Sequence, residues 1–352
     1  MKISIIVPYH NVDKQIFLLC MKSIFSQTYK DFEVVIVNDG SSDEYINILD
    51  EISETYQTVR IINQNCHGAS NARNRGVAEA KGKYIAFVDA DDMVVPTYLE
   101  EAVQILEDYH ADLVAGGVKF VFKKKDMISV FKQENTKLAE DHIKIFEEKN
   151  LWKFKNHLAS SRKLIKYQGG NVDRGPVARL VKRELAEACP FHDELIMWED
   201  LVWNLELLDM CKKVCAVTKT WYLYYQNPIS QIHQYRPNVV NEVEITMSYM
   251  KKLLDLDTDD GFETFGDHVC DNLRRICKLY FLRNECPLTL KGRKKEYIRI
   301  YTCEPWAVLG TNRYYNLTCG KNKLMSFLYK KRLFFMVFGL KEKIKNKIRF
   351  CK

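Results

Sequence analysis

The sequence predicts an α/β fold: a mixed, mostly parallel sheet flanked by helices, followed by a mainly helical C-terminal extension. Three observations lead there. Short apolar runs alternate with amphipathic stretches over the first 120 residues, which is the pattern of βαβ units. The runs are continuous rather than alternating, as expected of strands buried on both faces. Each run named below as a site strand ends in a polar cluster, and ligands in such sheets bind beyond the carboxyl ends of the strands.

The first run, Ile3 to Val7, stops at Pro8. Ile16, Leu19, Cys20, Ser23 and Ile24 then recur at helical spacing. Val34-Val35-Ile36-Val37 is a second strand, and Ile46, Leu49, Ile52 and Tyr56 mark one face of the helix after it. Val59 to Ile62, Ala69 to Ala80 and Tyr84 to Val88 give a third strand, a third helix and a fourth strand. Beyond Leu113-Val114 the pattern changes. Val118 to Phe122 and Met127 to Phe131 read as a hairpin around Lys123-Lys124-Lys125, and Leu138 to Phe154 reads as a helix. Gly169-Gly170 reads as a turn before a strand from Val177 to Val181. Trp198-Glu199-Asp200 opens a helix to about Met210. Val214 to Ala216 and Trp221 to Tyr225 read as two strands, and Pro228 to Pro237 as a loop. From Val240 onward the chain is helical in character and carries no recognisable chemistry.

Composition narrows the function. A chain of 352 residues accommodates one large α/β domain and a smaller unit, and 47% apolar with 28% charged residues excludes global disorder. Eleven cysteines are scattered without a C-x-x-C pair. With no apolar leader in this sequence, they are expected to be reduced cytosolic thiols rather than a disulfide or zinc framework. The net charge is +7, but residues 321–352 alone carry eleven Lys or Arg against Glu342, a local +10 that leaves −3 for the rest. A basic tail on an otherwise acidic chain argues against a nucleic-acid-binding core and for a local contact with an anionic surface. The run Leu333 to Phe338 is far too short to span a bilayer.

Three strand ends carry the chemistry. Asp89-Ala90-Asp91-Asp92 follows the fourth strand directly. Carboxylates two residues apart there suit a Mg²⁺ or Mn²⁺ ion bound through oxygen and shared with a diphosphate. The plainer alternative is a helix N-cap. Asp39, in Asn38-Asp39-Gly40-Ser41-Ser42-Asp43, is a hydrogen-bond acceptor suited to an imide N–H such as that of uracil; the alternative is a turn with Ser42 or Asp43 capping the next helix. Gly68 to Gly76 opens the third helix with small residues and Arg73, which can meet a diphosphate or a base carbonyl, while Arg75 reads as a solvated helix charge. Glu199-Asp200 is either an acidic helix start or a general base with its neighbour.

Ile5-Ile6-Val7-Pro8-Tyr9-His10-Asn11, Val37 to Asp43, Ala72-Arg73-Asn74-Arg75-Gly76, Phe87 to Asp92 and Trp198-Glu199-Asp200 occur in one order and spacing. In that set the chain resembles the family 2 inverting glycosyltransferases, including bacterial O-antigen and capsule enzymes, over about residues 1–235. The resemblance implies a GT-A-type catalytic domain over residues 1–235, with donor binding in 1–115 and the acceptor side in 116–235. Residues 236–352 then form a helical region with the basic tail. It further implies a UDP-sugar donor, Pro8 and Tyr9 lining the uridine pocket, Asp39 on uracil and Arg73 on the nucleotide. Asp89 lies near the ribose or the metal shell, Asp91 holds Mn²⁺ or Mg²⁺, Asp200 is the general base, and Glu199 shapes its site.

The activity so implied is transfer of one sugar to a saccharide hydroxyl with inversion, an α-linked donor giving a β-linked product. A polyprenyl-diphosphate-linked acceptor follows by analogy. Leu340, Ile344 and Ile348 recur at helical spacing among basic residues, which suits a tail lying on the inner face of the cell membrane with the body in the cytoplasm; the plainer alternative is a helix packed on the protein's own surface. Two positions depart from the family pattern: His10 stands where Tyr is frequent, and Cys66-His67 replaces an Asn-containing turn. A nucleotidyltransferase acting on sugar phosphates would instead carry a Gly-rich phosphate loop near Pro8, and a catalytically inactive sugar-nucleotide binder would not need Asp91 and Asp200. A processive synthase would carry Q-x-x-R-W and several membrane spans, and neither is found here.

Overall fold

The computed structural model describes residues 2–133, 142–160, 166–167, 170–172, 174–226 and 235–339. Its first half follows the sequence pattern. Ile3, Ile5, Ile6 and Val7 are all buried in β1 (Ile3–Tyr9). There follow α1 (Lys14–Phe25), β2 (Phe32–Asp39), α2 (Asp43–Thr55), β3 (Val59–Gln64), α3 (Ala69–Glu79) and β4 (Tyr84–Phe87). β1 pairs in parallel with β2 and β4, and β2 with β3. Their carboxyl ends therefore share one edge, where the predicted polar clusters emerge.

The second half departs from its periodicity in several places. It runs through β5 (Met93–Val94), α4 (Tyr98–Asp108), β6 (Leu113–Val121), α5 (Lys124–Gln133), β7 (Ile143–Glu147) and α6 (Leu151–Ala159). Short strands β8 (Lys166–Tyr167) and β9 (Gly170–Val172) precede β10 (Arg179–Lys182), α7 (Arg183–Ala188), α8 (Glu199–Met210) and β11 (Lys213–Tyr225). The main strand order is β3-β2-β1-β4-β10-β6-β11-β5. β10 is antiparallel to both β4 and β6, whereas β11 runs parallel to β6, so the sheet is mixed.

Three expectations are corrected. The hairpin expected from Val118 to Phe131 is a strand followed by α5: Met127 and Phe131, four residues apart, turn to one cluster with Val121, Leu223 and Met93. That spacing is a helical period, not an alternation. In the predicted helix from Leu138 to Phe154, residues 138–141 lie outside the described residues, but Ile143–Glu147 is a strand, because the first half of β11 supplies its backbone partners. The two strands expected between Val214 and Tyr225 are one, with an irregular register between Ala216 and Tyr222. Gly169 and most of the Pro228 to Pro237 loop fall outside the described residues, and Gly170 opens β9.

The described residues within 1–158, 164–194 and 198–228 form one compact unit, and those within 159–163, 195–197 and 229–352 form a second. The second holds α9 (Val239–Leu253), α10 (Asp259–Ile276), α11 (Leu290–Thr302), α12 (Asn312–Leu317) and α13 (Gly320–Lys330). At its centre the buried carboxylate of Asp267 accepts hydrogen bonds from Tyr314 Oη (2.9 Å), Asn322 Nδ2 (2.8 Å) and Ser160 Oγ (3.2 Å). A buried charge so satisfied ties three segments of the helical unit together. Residues 334–339 are helical, with Phe334 and Phe338 buried and Met336 and Val337 exposed. The basic amphipathic helix expected beyond Leu340 lies outside the described residues. No helix among the described residues is long and apolar enough to cross a membrane.

Candidate active site

α3 carries the site because it lies unusually close to β1. A Cβ on Gly76 would stand 2.3 Å from Ile6 Cγ2, so only glycine permits this approach. One turn earlier Arg73 is buried. Its Nη1 donates to Asp200 Oδ1 at 2.9 Å and its Nη2 to Asp89 Oδ1 at 3.0 Å. The Phe191 ring lies 5.4 Å from the guanidinium carbon. Asn74 fixes that ring's position by exchanging two 2.8 Å hydrogen bonds with the Phe191 backbone. Arg75 pairs with Glu79 on the surface, as its plain reading expects.

One guanidinium therefore joins the strand-end acid Asp89 to the helix-start acid Asp200, 111 positions away in the sequence. Arg73 was expected on the nucleotide; its charged nitrogens instead bridge two carboxylates. Trp198, the residue before α8, has φ 62°, a conformation a bulky side chain rarely adopts, and it sets the direction in which Glu199 and Asp200 leave the turn. The Arg174 guanidinium lies over its ring at 5.5 Å. Burial, and next the charge of Asp200, push the Glu199 carboxyl up to about 8.

The acid cluster divides its labour. Asp92 is fully buried, accepts hydrogen bonds from Tyr222 Oη (2.7 Å) and Tyr225 N (2.7 Å), and so fastens β11 to the cluster. Tyr222 Oη also accepts from Asp89 N at 3.0 Å. Neither role was legible in the sequence, since Tyr222 sits in a plain apolar run. The N-cap alternative for the cluster fails: β5 follows it, and the next helix is preceded by Thr97. Burial, and next the charge of Asp89, raise the Asp91 carboxyl to about 6. Asp89 and Asp91 are left as hard oxygen donors, which fits a Mg²⁺ or Mn²⁺ ion that takes one or two carboxylates and completes its shell from phosphates and water. The sign of the pH effect follows. The stabilisation from protonated Asp91 is complete below the ordinary carboxylate range and is lost as pH rises through about 6. A divalent ion must displace that proton, so Mn²⁺ affinity is expected to fall up to about tenfold per pH unit below about 6 and to level off above it. Mn²⁺ titrations by calorimetry at several pH values check this; a flat profile refutes it.

At the ends of β1 and β2, Asp39 is buried. Its Oδ1 accepts from His67 N and Gln64 Nε2, both at 2.8 Å, and its Oδ2 from Gly68 N at 2.8 Å. Asp39 thus staples the loop that leads into α3, and a carboxylate with about four acceptor positions keeps little capacity beyond that. Pro8 is half-buried. Tyr9 departs from expectation: its ring is buried against Phe17, its hydroxyl donates to the Tyr45 carbonyl at 2.8 Å, and burial pushes that hydroxyl up to about 12. It offers a pocket only its backbone, because alternation along β1 turns its side chain inward. Ser42 precedes α2 without a side-chain capping bond.

Residues 4–188 match the family described as Glycosyl transferase family 2. The uncharacterized glycosyltransferase YibD of Escherichia coli (strain K12) is 40% identical over 123 residues, covering 35% of this chain and 36% of that protein. The UDP-Glc:alpha-D-GlcNAc-diphosphoundecaprenol beta-1,3-glucosyltransferase WfaP of Escherichia coli is 37% identical over 105 residues, 30% of this chain and 41% of that protein. In both cases the match spans well under half of the relative's length. The crystal structure of S. aureus TarS 1–349 in complex with UDP-GlcNAc superposes with a TM-score of 0.64 at 15% identity, over 98% of this chain and 92% of that one. That likeness is one of fold, the GT-A-type arrangement.

Proposed function

Because the chain belongs to glycosyl transferase family 2, we propose that it is an inverting, metal-dependent hexosyltransferase that moves one sugar from a UDP-sugar to a hydroxyl of a lipid-linked saccharide. The observation that carries this reading is Arg73, which brings Asp89 and Asp200 to one guanidinium at the carboxyl edge of the sheet. An acceptor hydroxyl is a poor nucleophile, and Asp200 takes its proton as the new C–O bond forms. Arg73 holds Asp200 in place for that transfer by the Nη1 hydrogen bond. Asp89 and Asp91 are the residues that would hold the divalent ion. When bound, that ion supplies positive charge to the departing diphosphate. Attack on the face opposite the leaving group turns an α-linked donor into a β-linked product. Pro8 and Asp39 border the base, and segments within 116–235 form the acceptor side.

Donor and acceptor are argued by likeness. WfaP, by its name, uses UDP-Glc and an undecaprenol-linked acceptor, and TarS was crystallised with UDP-GlcNAc. A role in bacterial O-antigen or capsule synthesis is the matching context. A lipid-borne acceptor also suits the C-terminal region. Leu324, Phe327, Leu333, Met336 and Val337 are exposed among Lys321, Lys323, Lys330, Lys331 and Arg332. An apolar surface with basic neighbours favours an anionic bilayer by about 1 kcal/mol per basic residue near it. The protein then works in the cytoplasm, peripherally on the inner face of the membrane.

One assay tests the whole. UDP release from a panel of UDP-sugars is expected with Mn²⁺ or Mg²⁺, to stop with EDTA, and to be faster on a polyprenyl-diphosphate saccharide in anionic vesicles than on the free saccharide. No release from any UDP-sugar, with every acceptor presented, would overturn the reading.

A further inference from the structure

The two positions that depart from the family pattern, His10 and Cys66, meet in space. Among the described residues, a ring nitrogen of His10, a carboxylate oxygen of Asp39 and Cys66 Sγ lie within 4.8 Å of one another. We propose that His10, Asp39 and Cys66 form a second cation site, selective for a borderline-soft divalent ion such as zinc, and that an ion there excludes the nucleotide. The exclusion rests on the reading above that Asp39 borders the base; the site itself does not.

The donor set decides the ion. Imidazole, thiolate and a single carboxylate suit Zn²⁺, whereas Asp89 and Asp91 offer only hard oxygens. The ligands are also pre-positioned. His10 Nδ1 lies 2.7 Å from the Asp39 carbonyl oxygen, which can only accept, so Nδ1 carries the proton. Asn11 Nδ2 lies 3.2 Å from His10 Nε2 and donates to it, so that nitrogen holds the lone pair, and an ion binding there displaces the Asn11 hydrogen bond. A backbone carbonyl behind the second ring nitrogen is the usual support for a metal-bound histidine. Cys66 points its thiol at Asp39 Oδ2, 3.8 Å away. Its loop lies so close over Gly40 that a Cβ there would stand 2.6 Å from Cys66 N.

His10 and Cys66 are exposed, so an ion enters from solvent and keeps an open position beyond its three protein ligands. On binding, the sulfur–proton bond of Cys66 breaks, the proton passes to solvent, and the sulfur's electron pair forms the bond to the metal. No oxidant is involved. With its remaining capacity taken, Asp39 can no longer receive a base.

The test uses the full chain, stripped of metal, kept reduced with a phosphine and titrated with Co²⁺. One equivalent is expected to raise a near-ultraviolet thiolate-to-cobalt charge-transfer band, which an all-carboxylate site cannot give. Zn²⁺ should bleach it. Cys66→Ser should abolish the band, and His10→Gln should weaken Co²⁺ binding by more than about tenfold. No band, or a band that survives Cys66→Ser, overturns the site. Saturating UDP should erase the band in the unaltered protein. A band that persists while calorimetry shows UDP bound would leave the metal site standing and overturn the placement of the base at Asp39.

Discussion

Asp200→Asn is expected to lower kcat by about 10² to 10⁴-fold, the range that a positioned general base supplies, while leaving the affinity for UDP within a few-fold of the unaltered protein. The substitution is nearly isosteric, and an amide oxygen can still accept the hydrogen bond from Arg73 Nη1. What it cannot do is take a proton from the acceptor. The neighbouring acid is a poor substitute, because burial, and next the charge of Asp200, favour the protonated form of the Glu199 carboxyl. Rates of UDP release under saturating donor and acceptor, with UDP affinity measured calorimetrically on the same preparation, separate loss of chemistry from loss of binding. Turnover near the original rate would place the base elsewhere.

The sequence made the parallel half of the sheet legible because β1, β2 and β4 are buried on both faces and need continuous apolar runs. It made Asp39, Asp89 and Asp91 stand out as candidates because strand ends in such a sheet converge on one edge whatever the family. The second half resisted for two physical reasons. Met127 and Phe131 can be read as helix or strand until one knows what they face, and Ile143–Glu147 is a strand only because β11 offers it an edge. The same limit applies within the site. Asp92 looks like its neighbours in sequence, yet Tyr222, 130 positions on, decides that it is structural. The groups that satisfy Asp39 and Arg73 come from loops and helices that no spacing pattern relates.

The replacement of Arg73 is expected to reach stability, ion binding and rate in opposite directions, which is what distinguishes a positioning role from a merely structural one. Arg73→Ala removes a buried cation that lies 3.0 Å from Asp89 and 2.9 Å from Asp200. Breaking a buried pair costs about 3–5 kcal/mol, and because both acids are partly open to solvent a smaller loss, about 2–3 kcal/mol, is expected in the metal-free protein. Without its counter-charge, however, Asp89 attracts another cation more strongly, so Mn²⁺ should bind more tightly and restore part of the lost thermal stability. The rate should not recover. Asp200 loses the bond that aims it, and a misplacement of about 1 Å costs on the order of 10²-fold. Arg73→Lys should regain much of the stability but little of the rate, since a single ammonium cannot reproduce the planar fork that reaches both carboxylates. Melting curves with and without Mn²⁺, beside UDP-release rates for both variants, give the comparison. If Mn²⁺ affinity is unchanged in Arg73→Ala, or if Arg73→Lys turns over at the original rate, Arg73 does not couple the two acids.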